Sequence, residues 1–280
     1  MSLVRPISVS VLLAMSLSGL VGCSGSTPPT EERVASLGAV VNLTGGGSAA
    51  VGMTNDTTVS IEWRDARSDN WTAPSEIQKI REDWRINLHV AAAGNTVVVT
   101  PDYWTRGLTA DNAEPDRTGL IVCQPTRCED PEISRRASGA LISGDGTFVA
   151  FPIHKDNAWT LWTPEDGITH RKAHGLSADS VVRILPNGTL VAIEGRSADQ
   201  ACTHDLLIAD QKLTFTSVAT GPAIPAIADA EGRFTDVGCL PTYVEVTGDN
   251  SIQVGTEQDQ DHTLVFTRKD GKWSGRLKDD

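Results

Sequence analysis

Three residues in the second half of the chain have side chains that could hydrolyse a glycosidic bond. Glu194 follows the apolar run TLVAI, and the segment TYVEV places Tyr243 and Glu245 two residues apart. Residues two apart on a strand lie on the same face. Glycoside hydrolysis uses a pair of carboxylates, or a tyrosine nucleophile with a glutamate. Glu194, Tyr243 and Glu245 are therefore the candidate catalytic residues, and the alternative is that they are ordinary edge or turn residues.

A second candidate is a row of alternating carboxylates, Glu257, Asp259 and Asp261. In an extended segment these three side chains would share one face, and hard oxygen ligands suit Ca²⁺. The alternative is a solvated loop. Apart from this calcium site we expect no cofactor, because the chain has neither a Gly-x-Ser-x-Gly motif nor a phosphate-binding loop with its Lys-Ser/Thr sequel.

Aromatic residues point to binding rather than catalysis. The segment PDYWTRGLTADNAEPDR is the longest polar insertion in the chain, and it carries Tyr103, Trp104 and Arg106 together. Functional residues often lie on such loops, and tryptophan is a common binding anchor. We therefore expect a binding surface at these three residues. A packing role between sheets is expected for three other tryptophans, Trp71, Trp162 and Trp273.

The elements that position these residues are predicted to be strands. Val, Ile and Thr alternate with polar residues in short runs that Gly, Asn, Asp and Pro separate. The best candidate for a short helix is the segment from Ser75 to Arg85.

A repeat becomes visible when the apolar runs are aligned. AAGNTVVV, SGDGTFVA and LPNGTLVA each combine a tight turn, a Thr and an apolar strand, and GGGSAAVG and DAEGRFTD are weaker copies. The residue after each turn defines a common register: Ser48, Thr96, Thr147, Thr189 and Arg233. Units of about 46 residues fit four-stranded propeller blades. We therefore predict an all-β fold, a β-propeller with five blades, and six or more blades remain the open alternative.

A second series of segments follows later in each unit, for example SIEWRDARSDNW and LVFTRKDGKW. The sequence TRKDGKW, residues 267–273, resembles the Asp-box of the sialidase-type, or BNR-repeat, propellers. The resemblance implies a structural turn at the outer edge of a blade and does not by itself imply catalysis. The segment WRIN also resembles the Arg-Ile-Pro of sialidases at Arg85 and Ile86, but Asn87 replaces the proline. A sialidase-like glycoside hydrolase is therefore the alternative function.

The N-terminus has the pattern of an exported protein. Arg5 precedes an apolar segment from Ile7 to Leu20, as in a secretory signal. Leu20-Val21-Gly22-Cys23 resembles the lipobox of bacterial lipoproteins. The resemblance implies a signal peptide over residues 1–22 and a diacylglyceryl group, with palmitate, on Cys23, which would anchor the protein on the outer face of the cell membrane. The alternative is an ordinary signal peptide with an accidental cysteine.

The lipidated cysteine is followed by a tether rich in Gly, Ser, Thr and Pro over residues 23–34, and the propeller domain is predicted over residues 35–280. Four more cysteines fall in this domain, and an even number outside the cytoplasm favours disulfides. We pair Cys123 with Cys128 and Cys202 with Cys239. Because the last two lie in neighbouring repeat units, their bridge is expected to lock adjacent blades.

Charge excludes one class of partner. The formal net charge of −12 argues against nucleic acid. We therefore expect a lipid-anchored, non-catalytic propeller that binds a partner protein or an envelope glycan. Besides the glycosidase, a third hypothesis is an assembly factor that has no small-molecule ligand.

Overall fold

The computed structural model describes residues 37–105, 115–129, 132–134, 137, 139–153, 157–177, 179–198, 200–226, 239–241, 243–256 and 259–278. These ranges contain 22 strands and no α-helix, which confirms the all-β class. The helix predicted from Ser75 to Arg85 is wrong, because this segment contains the end strand of one sheet and the start of the next. Over the same ranges, no helix is present that could cross a membrane.

The chain divides into two compact units, residues 1–136 and residues 137–280. The first unit contains two antiparallel sheets. Sheet 1 comprises β1 (Ala39–Asn42), β2 (Ser48–Asn55), β3 (Thr58–Arg64) and β4 (Ser75–Lys79). Sheet 2 comprises β5 (Trp84–Ala93), β6 (Thr96–Thr105), β7 (Arg117–Gln124) and β8 (Arg127–Cys128), with β9 (Glu132–Ser134) as a second partner of β7.

The second unit contains three antiparallel sheets. Sheet 3 comprises β10 (Leu141–Ile142), β11 (Val149–Ile153), β12 (Ala158–Thr163) and β13 (Gly167–Lys172). Sheet 4 comprises β14 (Val181–Ile184), β15 (Leu190–Ala198), β16 (Ala201–Ala209) and β17 (Phe215–Thr220), with β18 (Ile224–Pro225) paired to β16. Sheet 5 comprises β19 (Tyr243–Gly248), β20 (Ser251–Thr256), β21 (Asp259–Lys269) and β22 (Lys272–Leu277).

In every sheet the main strands are paired in chain order. The predicted turn-and-strand repeat is the first hairpin of sheets 1 to 4. In sheet 5 the register was misplaced: the segment 229–236, with Arg233, lies outside the described residues, and the first hairpin turns at Asp249 and Asn250 instead. The reason is a longer connection before β19, which separates the fifth hairpin from the fourth by more residues than the earlier spacing predicts.

The middle strands of the sheets are buried on both faces. Residues 48–52 of β2 and residues 96–101 of β6 are buried without interruption. A sheet with one solvated face would instead alternate buried and exposed residues. Both faces of these strands must therefore be covered by other parts of the chain.

Sheet 4 shows this covering directly. One of its faces packs through Leu190, Ala192 and Leu207 against residues of sheet 3. The opposite face packs through Val191 and Ile193 against sheet 5. In the first unit, a comparable apolar cluster lies between sheets 1 and 2. The three tryptophans that were predicted to pack are buried: Trp71, Trp162 and Trp273.

Successive sheets within a unit have the same orientation. Their first strands are neighbours: β1 contacts β5 in the first unit, and β14 contacts both β10 and β19 in the second. Hydrogen bonds also join their first hairpin turns. Between sheets 1 and 2, the Thr44 backbone N–H donates to the Gly94 carbonyl (2.8 Å). In the second unit, the Gly144 backbone N–H donates to the Pro186 carbonyl (3.0 Å), and that of Asn187 donates to the Asp249 carboxylate (2.9 Å). Each unit is thus a stack of equivalent hairpin turns at one end of its sheets.

Both predicted disulfides are confirmed. Cys123 and Cys128 join β7 to β8 across a tight turn. Cys202, on β16, is bonded to Cys239, which precedes β19 rather than lying in sheet 5. The second bridge therefore fixes the connection into sheet 5 against sheet 4, at the boundary between these neighbouring sheets.

The same connection depends on a glycine. Gly195 on β15 is paired with His204 on β16, and the carbonyl oxygen of Cys239 lies directly over Gly195. A Cβ atom at this position would overlap that oxygen and the carbonyl carbon. The Nε2 atom of His204 is 2.9 Å from the same oxygen, so His204 provides the hydrogen bond to this carbonyl group and Gly195 provides the space for it.

We predict that Gly195→Ala lowers the free energy of unfolding by about 2 kcal/mol or more, because the added methyl group must displace a backbone that a disulfide restrains. Gly139→Ala is the matched control, since a Cβ there meets no atom within 4 Å. Guanidinium unfolding of the oxidised protein measures both variants. Equal stability of the two would show that the approach of Cys239 to Gly195 is not a constraint.

Candidate functional site

A small cleft lies in the first unit, where β5 begins and β6 ends. Its volume is about 200 Å³. It is lined by aromatic, cationic and acidic side chains: Arg81, Asp83, Trp84, Tyr103, Trp104, Thr105, Asp116 and Arg117. The hairpin between β5 and β6 and the pairing of Tyr103 with Arg117 bring these residues together.

The centre of the cleft is the half-buried indole of Trp84. The Tyr103 ring lies 4.9 Å from it, at an interplanar angle of 53°. The guanidinium groups of Arg81 and Arg117 lie 5.4 and 5.6 Å from the Trp84 ring centre, within the range of cation–π attraction. The cleft therefore combines a fixed aromatic group with two cations.

The two carboxylates of the cleft are held by hydrogen bonds. Asp83 accepts two from Arg81, at 2.9 and 2.7 Å. Asp116 accepts hydrogen bonds from the backbone N–H and the hydroxyl of Thr105, and these lower its pKa below the usual value. A general acid in glycoside hydrolysis requires a raised pKa. With two arginines and two aspartates, the lining is balanced in charge and provides both donors and acceptors.

The residues predicted for binding are only partly where we expected them. Tyr103 and Trp104 lie on β6, not in a loop, which corrects that expectation. Tyr103 is 1 % exposed because the alternation of β6 turns it toward sheet 1, where its hydroxyl donates to Gln78 at 2.7 Å. Burial raises the pKa of Tyr103. Trp104 is half-buried and lines the cleft, and Arg106 lies outside the described residues.

Sequence reasoning missed Trp84, Arg81 and Arg117. Trp84 could have been found from the charged residues Arg81, Glu82 and Asp83 that precede it. Arg117 carried no such signal, since only the pairing of β6 with β7 places it beside Tyr103.

Glu194, a candidate for catalysis, is engaged in structural contacts. It is 6 % exposed and accepts hydrogen bonds from the Ser177 backbone N–H (2.8 Å), the Ser180 hydroxyl (2.7 Å) and Arg196 (3.2 Å). Burial alone would raise the pKa of Glu194, but these hydrogen bonds together outweigh it and lower the pKa. Glu194 is thus an ionised acceptor that holds the turn before β14.

Tyr243 and Glu245 are exposed on the same face of β19, as the spacing predicted. The Tyr243 ring lies over Gly255, which has no side chain, and its hydroxyl is 3.2 Å from the Thr263 hydroxyl. No hydrogen bond or ion pair within the described ranges joins either residue to Glu194. The three residues are therefore not assembled by direct contact, and a catalytic role for them stays a prediction.

Two other predicted sites fall outside what the structure describes. Cys23 and Glu257 belong to undescribed segments, and Asp259 and Asp261 are placed in β21 without a description of their side chains. In the part of the chain that is described, no group of three or more His, Cys, Asp or Glu residues is arranged around a metal position. The calcium site and the lipid anchor stay predictions.

His204 is a buried titratable group next to the Cys202–Cys239 bridge. Its Nε2 atom donates to the Cys239 carbonyl, and its Nδ1 atom has no hydrogen-bond partner among the described residues. Burial lowers the pKa of His204 from the usual 6.5, although that hydrogen bond and the nearby Asp205 act in the opposite direction. The side chain is therefore neutral in the folded protein at pH 7.

Comparison with known proteins identifies no family. No family model matches the chain, and no curated protein matches it. Among solved structures, the chain is similar to Kluyveromyces lactis Hsv2, with 11 % identity, 86 % and 85 % of the two chains covered and a TM-score of 0.35. It is also similar to the Myceliophteria thermophila Cps50 (Swd1) β-propeller domain, with 9 % identity, 83 % of each chain covered and a TM-score of 0.33. A third similarity is to the Pyrococcus horikoshii acylaminoacyl peptidase, with 11 % identity, coverage of 68 % of this chain and 32 % of that one, and a TM-score of 0.42.

We predict that the stability of the protein falls as the pH decreases below about 6.5. The folded-state pKa of His204 lies below the unfolded-state value, so in this window the unfolded chain binds more protons and the free energy of unfolding decreases, by up to about 1.4 kcal/mol per pH unit. Urea unfolding from about pH 7.5 to about pH 5 measures this slope.

His204→Gln is the matched variant, because the glutamine amide can still donate to the Cys239 carbonyl but does not titrate. The free energy of unfolding of this variant is expected to decrease less steeply with falling pH than that of the unmodified protein. Identical slopes would show that His204 does not control the acid sensitivity.

Proposed function

We propose that this chain is a lipid-anchored protein of the bacterial cell envelope, a non-catalytic β-propeller that binds an envelope glycan through the cleft at the end of sheet 2. The observation that carries the proposal is the composition of this cleft. It combines aromatic rings with donors and acceptors of balanced charge, and its carboxylates are already engaged by Arg81 and Thr105.

The propeller part of the proposal rests on the packing of the sheets. Five sheets pair their strands in chain order, and sheet 4 is covered on one face by sheet 3 and on the other by sheet 5. A ring of five blades would give the same two-sided cover to every sheet, whereas a sandwich covers one face of each.

The choice of a glycan rests on the size and chemistry of the cleft. Its volume of about 200 Å³ lies below the range of roughly 300–1,000 Å³ that is usual for drug-sized ligands. A single sugar ring suits this size: its C–H face can pack on an indole, and its hydroxyls can accept from arginines and donate to aspartates. A partner protein is the other ligand class that the sequence leaves open.

We predict that Arg117→Gln weakens binding of an envelope oligosaccharide about tenfold, because hydrogen bonds to a charged donor contribute about 1.5 kcal/mol. Protein beginning at Ser24 would be titrated with a panel of envelope saccharides by isothermal calorimetry. Arg67→Gln, an exposed arginine of the same unit outside the cleft, is expected to bind as the unmodified protein does.

Two outcomes would contradict this proposal. Absence of binding across the panel, or binding that Arg117→Gln and Trp104→Ala both leave unchanged, would remove the cleft as a glycan site. Turnover of fluorogenic glycosides by the same protein would contradict the non-catalytic role and favour the glycosidase.

The anchor is tested separately. We predict that Cys23→Ser releases the protein from the membrane fraction, because a chain without the diacylglyceryl group lacks the two acyl chains that make anchoring stable. Partition of the full chain between a detergent phase and an aqueous phase measures the difference. Equal partition of both proteins into the detergent phase would exclude Cys23 as the attachment site.

A further inference from the structure

A polar cluster lies on the face of sheet 2 opposite Trp84 and Tyr103. Asn87 and His89 alternate along β5, and Asn87 is paired with Asp102 on β6, which in turn is paired with Thr118 on β7. Because side chains at paired positions of a sheet point to the same side, the four residues share one face. The strand pairing therefore gives this cluster a rigid base.

Three of these side chains converge on one point. The Nε2 atom of His89 is 3.0 Å from Oδ2 of Asp102 and 3.4 Å from the side-chain nitrogen of Asn87. One ring nitrogen cannot donate to Asp102 and accept from Asn87 at the same time. If the amide is rotated so that its nitrogen and oxygen exchange places, two oxygens face one ring nitrogen that carries a single hydrogen. In neither orientation of the amide does the ring nitrogen form a full hydrogen bond with both neighbours.

A metal ion would satisfy all three groups. Metal–ligand bonds of about 2.1 Å and ligand–metal–ligand angles of about 90 to 109° place the donor atoms roughly 3.0 to 3.4 Å apart. The two separations around His89 Nε2 match these values. Imidazole nitrogen together with carboxylate and amide oxygen suits a divalent first-row transition metal such as Zn²⁺.

The surroundings of the cluster also fit a metal site. Oδ1 of Asp102 accepts a hydrogen bond from the buried Thr118 hydroxyl at 3.0 Å, which orients the carboxylate and leaves Oδ2 toward His89. Such outer hydrogen bonds are typical of metal ligands. The His89 side chain is 49 % exposed, so an ion can enter and keep water in its remaining positions.

We propose that Asn87, His89 and Asp102 bind a divalent transition-metal ion, with Thr118 as a positioning residue. The proposal involves none of the carboxylates Glu257, Asp259 and Asp261, and it does not depend on the glycan cleft. One of the three ligands is the Asn87 amide, so the site has only two ligands of the His, Cys, Asp and Glu types and does not conflict with the absence of a group of three such residues in the described part of the chain.

The test is a titration of the untagged chain beginning at Ser24 with ZnCl₂ after dialysis against a chelator. His89→Gln is expected to weaken the binding of Zn²⁺ at least tenfold, and Thr118→Val about tenfold, since outer partners typically change affinity by 10 to 100-fold. His174→Gln, which removes an exposed histidine of the second unit, is the matched control and is expected to leave the affinity unchanged.

A second readout does not depend on the folding of the variants. In the unmodified protein, zinc is expected to shift the imidazole nitrogen resonances of His89 and to leave those of His174 in place. No saturable binding at millimolar zinc, or zinc binding of equal affinity in His89→Gln, would overturn the proposal and leave the His89–Asp102 contact as an ordinary hydrogen bond.

Discussion

Two-sided burial of the middle strands is the constraint on which the rest of this structure depends. Strands such as β2 and β6 bury consecutive residues, so neither face of their sheets can remain in water. Sheets 3, 4 and 5 meet this requirement by stacking in chain order with their first hairpin turns in contact. In the first unit, a hydrogen bond from Thr44 to Gly94 joins the first hairpin turns of sheets 1 and 2 in the same way, and the cleft is formed where β5 begins and β6 ends.

Sheet 2 shows how strand alternation separates two kinds of chemistry. One face carries Trp84 and Tyr103 and continues into the apolar cluster with sheet 1. The other carries His89 and Asp102, whose polar atoms meet across the β5–β6 pair. A shift of the register by one residue would exchange these faces and destroy both arrangements, so the long pairing of β5 with β6 is what keeps them apart.

In the second unit, two buried titratable residues, Glu194 and His204, form hydrogen bonds with the backbone. Glu194 and His204 both satisfy backbone groups of connections, the turn before β14 and the segment that contains Cys239. A buried backbone group without a partner is costly, and a charged or polar side chain is one way to satisfy it. This explains why a glutamate after an apolar strand was an attractive catalytic candidate and why its oxygens are nevertheless occupied.

By itself, the sequence determined the all-β class, the first hairpins of four sheets and the two disulfide pairs. These features depend on local information: alternation of side chains, turn residues that tolerate their backbone angles, and the number and spacing of cysteines. Only the tertiary structure decided that Trp84 meets Arg117, that His89 meets Asp102 and that the fifth hairpin turns at Asp249. Strand register and connection length set these contacts, and both are fixed by packing between residues distant in the chain, which no local pattern records.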